Sequence, residues 1–129
     1  MRAVTSELFN TIPTKNYLPL YDGEQTDYAK VVQCLDFQKK DVARAAQISP
    51  ELVRYDEKMS KELRERLEEW ANLLQLVAAH FRDERKTLLW FKMPNYMLGN
   101  ISPRDMIRFG RYKKLLQFVI AALRENEKD

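Results

Sequence analysis

One apolar stripe constrains this chain more than any other feature of its sequence. Six large apolar residues follow one another at alternating intervals of four and three: Leu63, Leu67, Trp70, Leu74, Val77 and Phe81. That spacing places them on one face of a long helix that begins at Ser60. Because only 3 glycines and 5 prolines interrupt the chain, the elements that cover the stripe are also expected to be helices. The sequence therefore predicts an all-α fold.

Start signals and apolar periods predict six to seven helices in total. Ser49-Pro50-Glu51 and Ser102-Pro103 each combine a capping serine with a proline in the first helical position. The segment from Met93 to Asn100 is expected to be a loop, with positive φ at Gly99 and Asn100. Residues 1–25 show no sustained period and are interpreted as an N-terminal arm, with the apolar residues Leu18, Leu20 and Tyr21 as candidates to hold it against a neighbouring element. The predicted helices cover residues 27–35, 38–46, 49–55, 60–81, 83–92 and 111–124, and a further short helix begins at Ser102.

Composition limits the compartment and the chemistry. Cys34 is the single cysteine, so it forms no internal disulfide and supplies no cysteine-based zinc site. We expect a cytoplasmic protein without a signal peptide, a membrane span, a metal or a cofactor. Formal net charge is +3. Residues 82–129 carry 11 Lys and Arg against 6 Asp and Glu, so the positive charge is concentrated there.

Residues 38–55 fit the spacing of a helix-turn-helix. Ala43 is the small residue of the first helix, and Gln47-Ile48 occupy the turn and its apolar plug. Ser49 then caps the second helix and Val53 anchors it. The turn favours glycine for its left-handed angles, and Gln47 departs from that preference. An ordinary helical corner fits the spacing equally well.

A DNA-binding role for this segment predicts two sets of contacts. Asp56 and Glu57 lie close by and would repel phosphate, so modest affinity, helped by a homodimer, is expected. The bases would be read by Glu51, Arg54 and Tyr55, and phosphates would be held by Lys39, Lys40 and Arg44.

A second motif lies further along the chain. It consists of Trp90-Phe91-Lys92-Met93-Pro94-Asn95, then Leu98-Gly99-Asn100, then Ser102-Pro103-Arg104-Asp105-Met106. This order resembles the Trp-Leu-x-x-Pro-Asn, Leu-Gly-Gly, Thr/Ser-Pro-x-x-Leu pattern of Xre/MbcA/ParS-type antitoxins. The departures are Phe91 for leucine, Asn100 for the second glycine and Met106 for leucine. The stretch Arg111-Tyr112-Lys113-Lys114 is also more basic than the pattern leads us to expect.

The resemblance implies an antitoxin of a type II toxin-antitoxin pair. Such a protein neutralises a RES-type, NAD-consuming toxin by direct contact and represses its own operon by binding operator DNA. The implied organisation is an arm at 1–25, a helix-turn-helix-like lobe with the long connecting helix at 26–82, and a toxin-binding domain at 83–129. The residues expected to contact the toxin are Asn95, Arg104, Arg108 and Arg111.

Two alternatives stay open at this point. One is a stand-alone helix-turn-helix transcription regulator without a toxin partner, and the other is an interaction module whose helix-turn-helix is vestigial. An enzyme is not expected. His80 is the single histidine, and the sequence suggests no nucleophile–histidine pair and no glycine-rich phosphate loop.

Overall fold

The computed structural model describes residues 17–128, with side chains as far as residue 126, and this part of the chain is built mainly of helices. The predicted all-α class is confirmed. The two short strands are β1 (Tyr21–Asp22) and β2 (Gln25–Thr26), which form an antiparallel hairpin. The helices are α1 (Tyr28–Cys34), α2 (Lys39–Ala46), α3 (Lys61–Phe81), α4 (Glu84–Lys92), α5 (Pro103–Arg108) and α6 (Tyr112–Lys128). Two 3₁₀ turns cover Pro50–Leu52 and Tyr96–Leu98.

Helix α3 follows the sequence pattern closely. The Ser60 hydroxyl accepts a hydrogen bond from the Leu63 amide at 3.2 Å, which caps the helix at its first turn. Arg82 ends the helix in the left-handed conformation, with φ of 55°. Five of the six residues of the stripe are buried, and Phe81 at its end is half-buried. Burial of the stripe is therefore what holds α3 in the fold.

One continuous core surrounds α3. Helices α1, α2, α4 and α6 each pack against it. Trp70 meets Phe37 edge to face at 5.7 Å between ring centroids, and Phe91 and Leu115 belong to the same core. The core thus runs across the predicted boundary at residue 82, and the division into lobes stays a prediction. Among residues 17–128, no helix has both the length and the apolar character needed to cross a membrane.

The chain ahead of α1 packs on the core through two apolar residues of the predicted arm. Leu18 and Leu20 have no exposed surface, whereas Pro19 between them is exposed. This alternation is that of an extended segment with one face on the core. The Gln75 side chain donates to the Leu18 carbonyl at 3.1 Å and ties the segment to α3. Residues 1–16 of the predicted arm lie outside the described residues.

The predicted helix over residues 49–55 is wrong. Only Pro50–Leu52 turn, as a 3₁₀ segment, and Val53 is already extended and buried. The physical reason lies just beyond. The Asp56 carboxylate accepts the Lys58 amide at 3.0 Å and so stabilises a turn, and such local side-chain bonds compete with helix formation. The first helix and the turn of the helix-turn-helix motif are present nevertheless, because Gln47 adopts the left-handed conformation that the turn requires, with φ of 59°.

The buried position of Leu20 gives a test of the revised N-terminal boundary. Leu20→Ala should lower the free energy of unfolding by about 2–5 kcal/mol, the cost of a cavity in a packed core. Leu52→Ala is the matched control, because Leu52 is about half exposed and should change stability by no more than about 0.5 kcal/mol. Urea denaturation of both variants measures the difference. Equal midpoints for the two would contradict the packing of residues 18–20 on the core.

Candidate functional site

The loop between α4 and α5 is closed by its own hydrogen bonds. The Asn95 amide donates to the Ile101 carbonyl at 3.1 Å, and the Asn100 amide returns to the Asn95 carbonyl at 2.9 Å. The Asn95 side chain accepts the Met97 amide at 2.9 Å and starts the second 3₁₀ turn. Gly99 and Asn100 both have positive φ, as the sequence predicts. The loop is therefore ordered by its own hydrogen bonds.

This loop and the end of α4 display apolar side chains to solvent. Of the seven large hydrophobic side chains that are exposed within residues 17–126, four lie between positions 89 and 97. Tyr96 is 82% exposed and Met97 is 71% exposed. Such a concentration is not needed for folding, and it is typical of a protein-binding surface. We call Leu89, Met93, Tyr96 and Met97 the motif surface.

A cleft of about 170 Å³ adjoins the motif surface between α3 and α6. Met97 belongs both to the motif surface and to the wall of the cleft, so the two are continuous. Trp90 contacts Phe81 at 6.5 Å between ring centroids, which gives the cleft an aromatic side. Six of the residues that line the cleft are Phe81, Trp90, Asn95, Met97, Phe118 and Leu123.

Arg104, one of the predicted toxin contacts, acts within the fold. Its Nε donates to the Leu35 carbonyl at 2.8 Å and its terminal nitrogen donates to the Asp36 carbonyl at 2.9 Å. Its guanidinium also lies over the ring of Phe37, at 5.6 Å from the centroid. These contacts satisfy carbonyl groups at the end of α1, which the helix itself leaves unpaired. Arg104 therefore ties α5 to α1.

The other predicted toxin contacts lie in different surroundings. Arg108 pairs with Asp105 at 3.0 Å and lies 3.6 Å from Asp41, so both neighbouring carboxylates engage it. Arg111 is exposed and takes part in no ion pair among the described residues. Asn95 shapes the loop that carries the motif surface. The four residues therefore do not form one basic face, and toxin contact by the arginines stays a prediction.

Of the predicted base-reading residues, Tyr55 lines an acidic groove of about 710 Å³, and Arg54 pairs with Asp56 of its lining. Arg54 and Asp56 form a two-pronged ion pair, with both nitrogen–oxygen distances at 2.7 Å. This hydrogen bond holds the pKa of Asp56 below and the pKa of Arg54 above their ordinary values. The negative charge of the groove that Tyr55 lines would repel phosphate. Five carboxylates and one arginine line it: Glu24, Asp27, Asp56, Glu57, Glu68 and Arg64.

The predicted phosphate-binding residues lie on another side. Lys39, Lys40 and Arg44 are exposed on α2, and the Arg44 guanidinium lies 4.8 Å from the ring centroid of Phe109. Next to them is a groove of about 570 Å³ formed by α2, α3 and the start of α6. Lys113 and Lys114 line this groove. The sequence showed that residues 111–114 are basic, but it did not show that they lie beside α2.

Tyr112 fixes the start of α6 against α3. Its hydroxyl donates to the Glu69 carbonyl at 3.0 Å. Burial and the nearby Glu69 carboxylate raise the pKa of Tyr112 to about 12, against an opposing effect of Arg66. Arg66 itself pairs with Glu69 at 2.8 Å.

The single cysteine and the single histidine of the sequence have little catalytic character. Cys34 is buried, and burial raises the pKa of its thiol, which disfavours the reactive thiolate. His80 is exposed and stacks edge to face on Phe81 at 5.1 Å. No cluster of three or more potential metal ligands occurs within the described residues.

The chain is similar in structure to part of a known toxin-antitoxin complex. No family model matches the chain, and no curated protein matches it. A chain of the crystal structure of the M. tuberculosis MbcT-MbcA toxin-antitoxin complex aligns with 20% identity and a TM-score of 0.46. The alignment covers 73% of this chain and 87% of that chain. At this level the structural correspondence is partial.

Arg104 can be tested as a structural residue. Arg104→Ala removes two charge-assisted hydrogen bonds to carbonyl groups at the end of α1, and should lower the free energy of unfolding by about 2–3 kcal/mol. Arg111→Ala should leave stability nearly unchanged, because the side chain is exposed and outside any ion pair of the described residues. Thermal melting and urea denaturation compare the two. Identical melting of both variants would show that the Arg104 contacts contribute nothing.

Tyr112 gives the fold a defined sensitivity to alkaline pH. Its pKa is raised from an ordinary 10.0 to about 12, so the unfolded chain releases the proton first. The contribution of Tyr112 to stability is therefore complete below about pH 10 and is lost as pH rises towards 12. Between about pH 9 and 11.5, wild type should lose stability more steeply than Tyr112→Phe. Parallel pH profiles of the two proteins would rule out this contribution.

Proposed function

We propose that this chain is the antitoxin of a toxin-antitoxin pair and binds its toxin through the motif surface and the adjoining cleft. The observation that carries the proposal is the exposure of Tyr96 and Met97 on a loop that Asn95 holds closed. The same loop lies at the centre of the antitoxin-like motif of residues 90–106. Sequence pattern and surface chemistry therefore support a binding role for the same few residues.

The chemistry of the motif surface suits a protein partner. Aromatic and methionine side chains are enriched at the centres of protein interfaces, where a few of them carry most of the binding free energy. The cleft beside Met97 offers space for an apolar side chain of the partner. The four members of the motif surface are apolar or aromatic, so their contacts with a partner would depend mainly on apolar burial.

The kind of toxin follows from the resemblance alone. A RES-type toxin that consumes NAD is the partner implied, and the antitoxin would act by contact, without catalysis and without a cofactor. We also propose a homodimer in the cytoplasm. The stand-alone regulator and the interaction module differ from this proposal in one readily tested way, because only an antitoxin requires a toxin encoded in the neighbouring reading frame.

Repression of the operon by DNA binding is the second part of the proposal. The exposed row of Lys39, Lys40 and Arg44 supports it, because these side chains face solvent and phosphate contacts position a protein on DNA. The proposal does not include base reading by a helix at residues 49–55. The corresponding segment is a single 3₁₀ turn beside an acidic groove.

The proposal predicts that neutralisation depends on the motif surface. The neighbouring reading frame expressed alone should arrest growth, and co-expression of this chain should restore it. Tyr96→Asp and Met97→Asp should weaken the complex by at least about 30-fold, equivalent to about 2 kcal/mol, and restore toxicity. Leu52→Asp is the matched control, because Leu52 is another exposed leucine outside the motif surface.

The controls separate binding from folding. Tyr96→Asp and Met97→Asp should melt within a few degrees of wild type, because the Tyr96 and Met97 side chains already face solvent. Full neutralisation by folded Tyr96→Asp and Met97→Asp proteins would refute the motif surface as the toxin-binding site. A neighbouring frame that is harmless on its own would refute the antitoxin role.

A further inference from the structure

Charge on this protein is separated between two faces of α3. Arg64 and Glu68 lie one turn apart and line the acidic groove. Arg66, Glu69 and Trp70 line the groove beside α6. At 100° per residue, the first pair and the second set point to opposite sides of the helix. A polyanion approaching the protein therefore meets one repulsive side and one attractive side.

The attractive side is formed by two helices brought together at their ends. Gly110 lies against the Gln47 side chain, so the C-terminal end of α2 meets the start of α6; a Cβ on Gly110 would lie 3.8 Å from the Gln47 amide nitrogen. Five exposed cations lie on α2 and at the start of α6, and none is paired with a carboxylate among the described side chains. We call them the basic surface: Lys40, Arg44, Arg111, Lys113 and Lys114.

The exposed ring of Phe109 fixes part of this surface. The guanidinium carbons of Arg44 and Arg108 each lie 4.8 Å from its ring centroid. Arg108 is already neutralised by Asp105 and Asp41, which leaves Arg44 as the free charge of the pair. Because both arginines stack on the ring, it offers little room for a nucleobase. The chemistry of the surface is therefore that of charge contacts to phosphate, without base stacking.

We infer that the basic surface binds the phosphodiester backbone of duplex DNA with little dependence on base sequence. This inference rests on the operon-repressing part of the proposed function and gives it a different location from the predicted recognition segment. Unpaired cations spread over two helices suit the regularly repeated charges of a DNA backbone. A single acidic side chain of a protein partner would use only one or two of them.

The test is the affinity for a fluorescently labelled 20-base-pair duplex of arbitrary sequence, measured by anisotropy on the full chain at several KCl concentrations. The double variant Arg111→Gln/Lys114→Gln should bind about 10–100-fold more weakly at about 50 mM salt. The slope of log K against log salt should fall by about 1.8, since each lost phosphate contact removes about 0.9. A second duplex of different sequence should behave in the same way.

The matched control is Arg54→Gln/Lys58→Gln, which removes the same charge beside the acidic groove. It should bind DNA within about twofold of wild type. Equal losses in the two double variants would mean that only net charge matters and would overturn the inference. So would unchanged binding by Arg111→Gln/Lys114→Gln, or no duplex binding by wild type at about 50 mM salt. Thermal melting of both variants, expected to match wild type, excludes misfolding as the cause.

Two further readouts identify other occupants. The companion variant Lys113→Gln/Lys114→Gln, which keeps the predicted toxin contact Arg111, should lose DNA binding in the same way and still neutralise the toxin. If it fails there yet binds DNA normally, the basic surface contacts an acidic part of the toxin, which overturns the inference and leaves the antitoxin role intact. If it only abolishes a salt-sensitive self-association seen by light scattering, the occupant is the acidic groove of a second copy. Conversely, charge-dependent DNA binding without any toxin would support this inference while refuting the antitoxin role.

Discussion

Burial of the α3 stripe is the interaction on which the remaining structure depends. Four other helices and the segment around Leu18 and Leu20 lie around this one helix. Helices α1, α2 and α4 have 7, 8 and 9 residues, which is too short for a helix to be stable without such packing. Trp70 contributes the largest side chain of the core. The two grooves and the cleft all use α3 as one wall. The position of every candidate surface is therefore set by the stripe.

Sequence patterns predicted those elements whose start and period agree. Ser60 and Ser102 cap their helices as expected, and the positive φ values at Gly99 and Asn100 follow from residue type. The helix at 49–55 failed because local periodicity carries no information on the Asp56 turn that competes with it. Leu18 and Leu20 were candidates to hold the arm against a neighbour, but two apolar residues around a proline are too short a pattern to identify α3 as that neighbour.

The candidate site was less accessible from the sequence, for a different reason. An arginine reads the same in a sequence whether it meets a partner protein or, like Arg104, the end of a neighbouring helix. Which cations remain unpaired depends on contacts between distant segments, such as that of Gln47 with Gly110. The exposure of Tyr96 and Met97 was not predicted either. The sequence did offer a signal for it, because apolar side chains in a tight loop, here between Pro94 and Gly99, often cannot reach the core.

The hydrogen bonds that close the Asn95 loop have a kinetic consequence. A loop that is already ordered loses little conformational entropy when a partner docks, so less of the contact free energy is offset by ordering. Association can then proceed by collision of preformed surfaces, without waiting for a rare conformation. Differences in affinity among variants of such a surface are expressed mainly in the lifetime of the complex. Under the antitoxin function proposed above, residence time on the toxin is the quantity that this small turn controls.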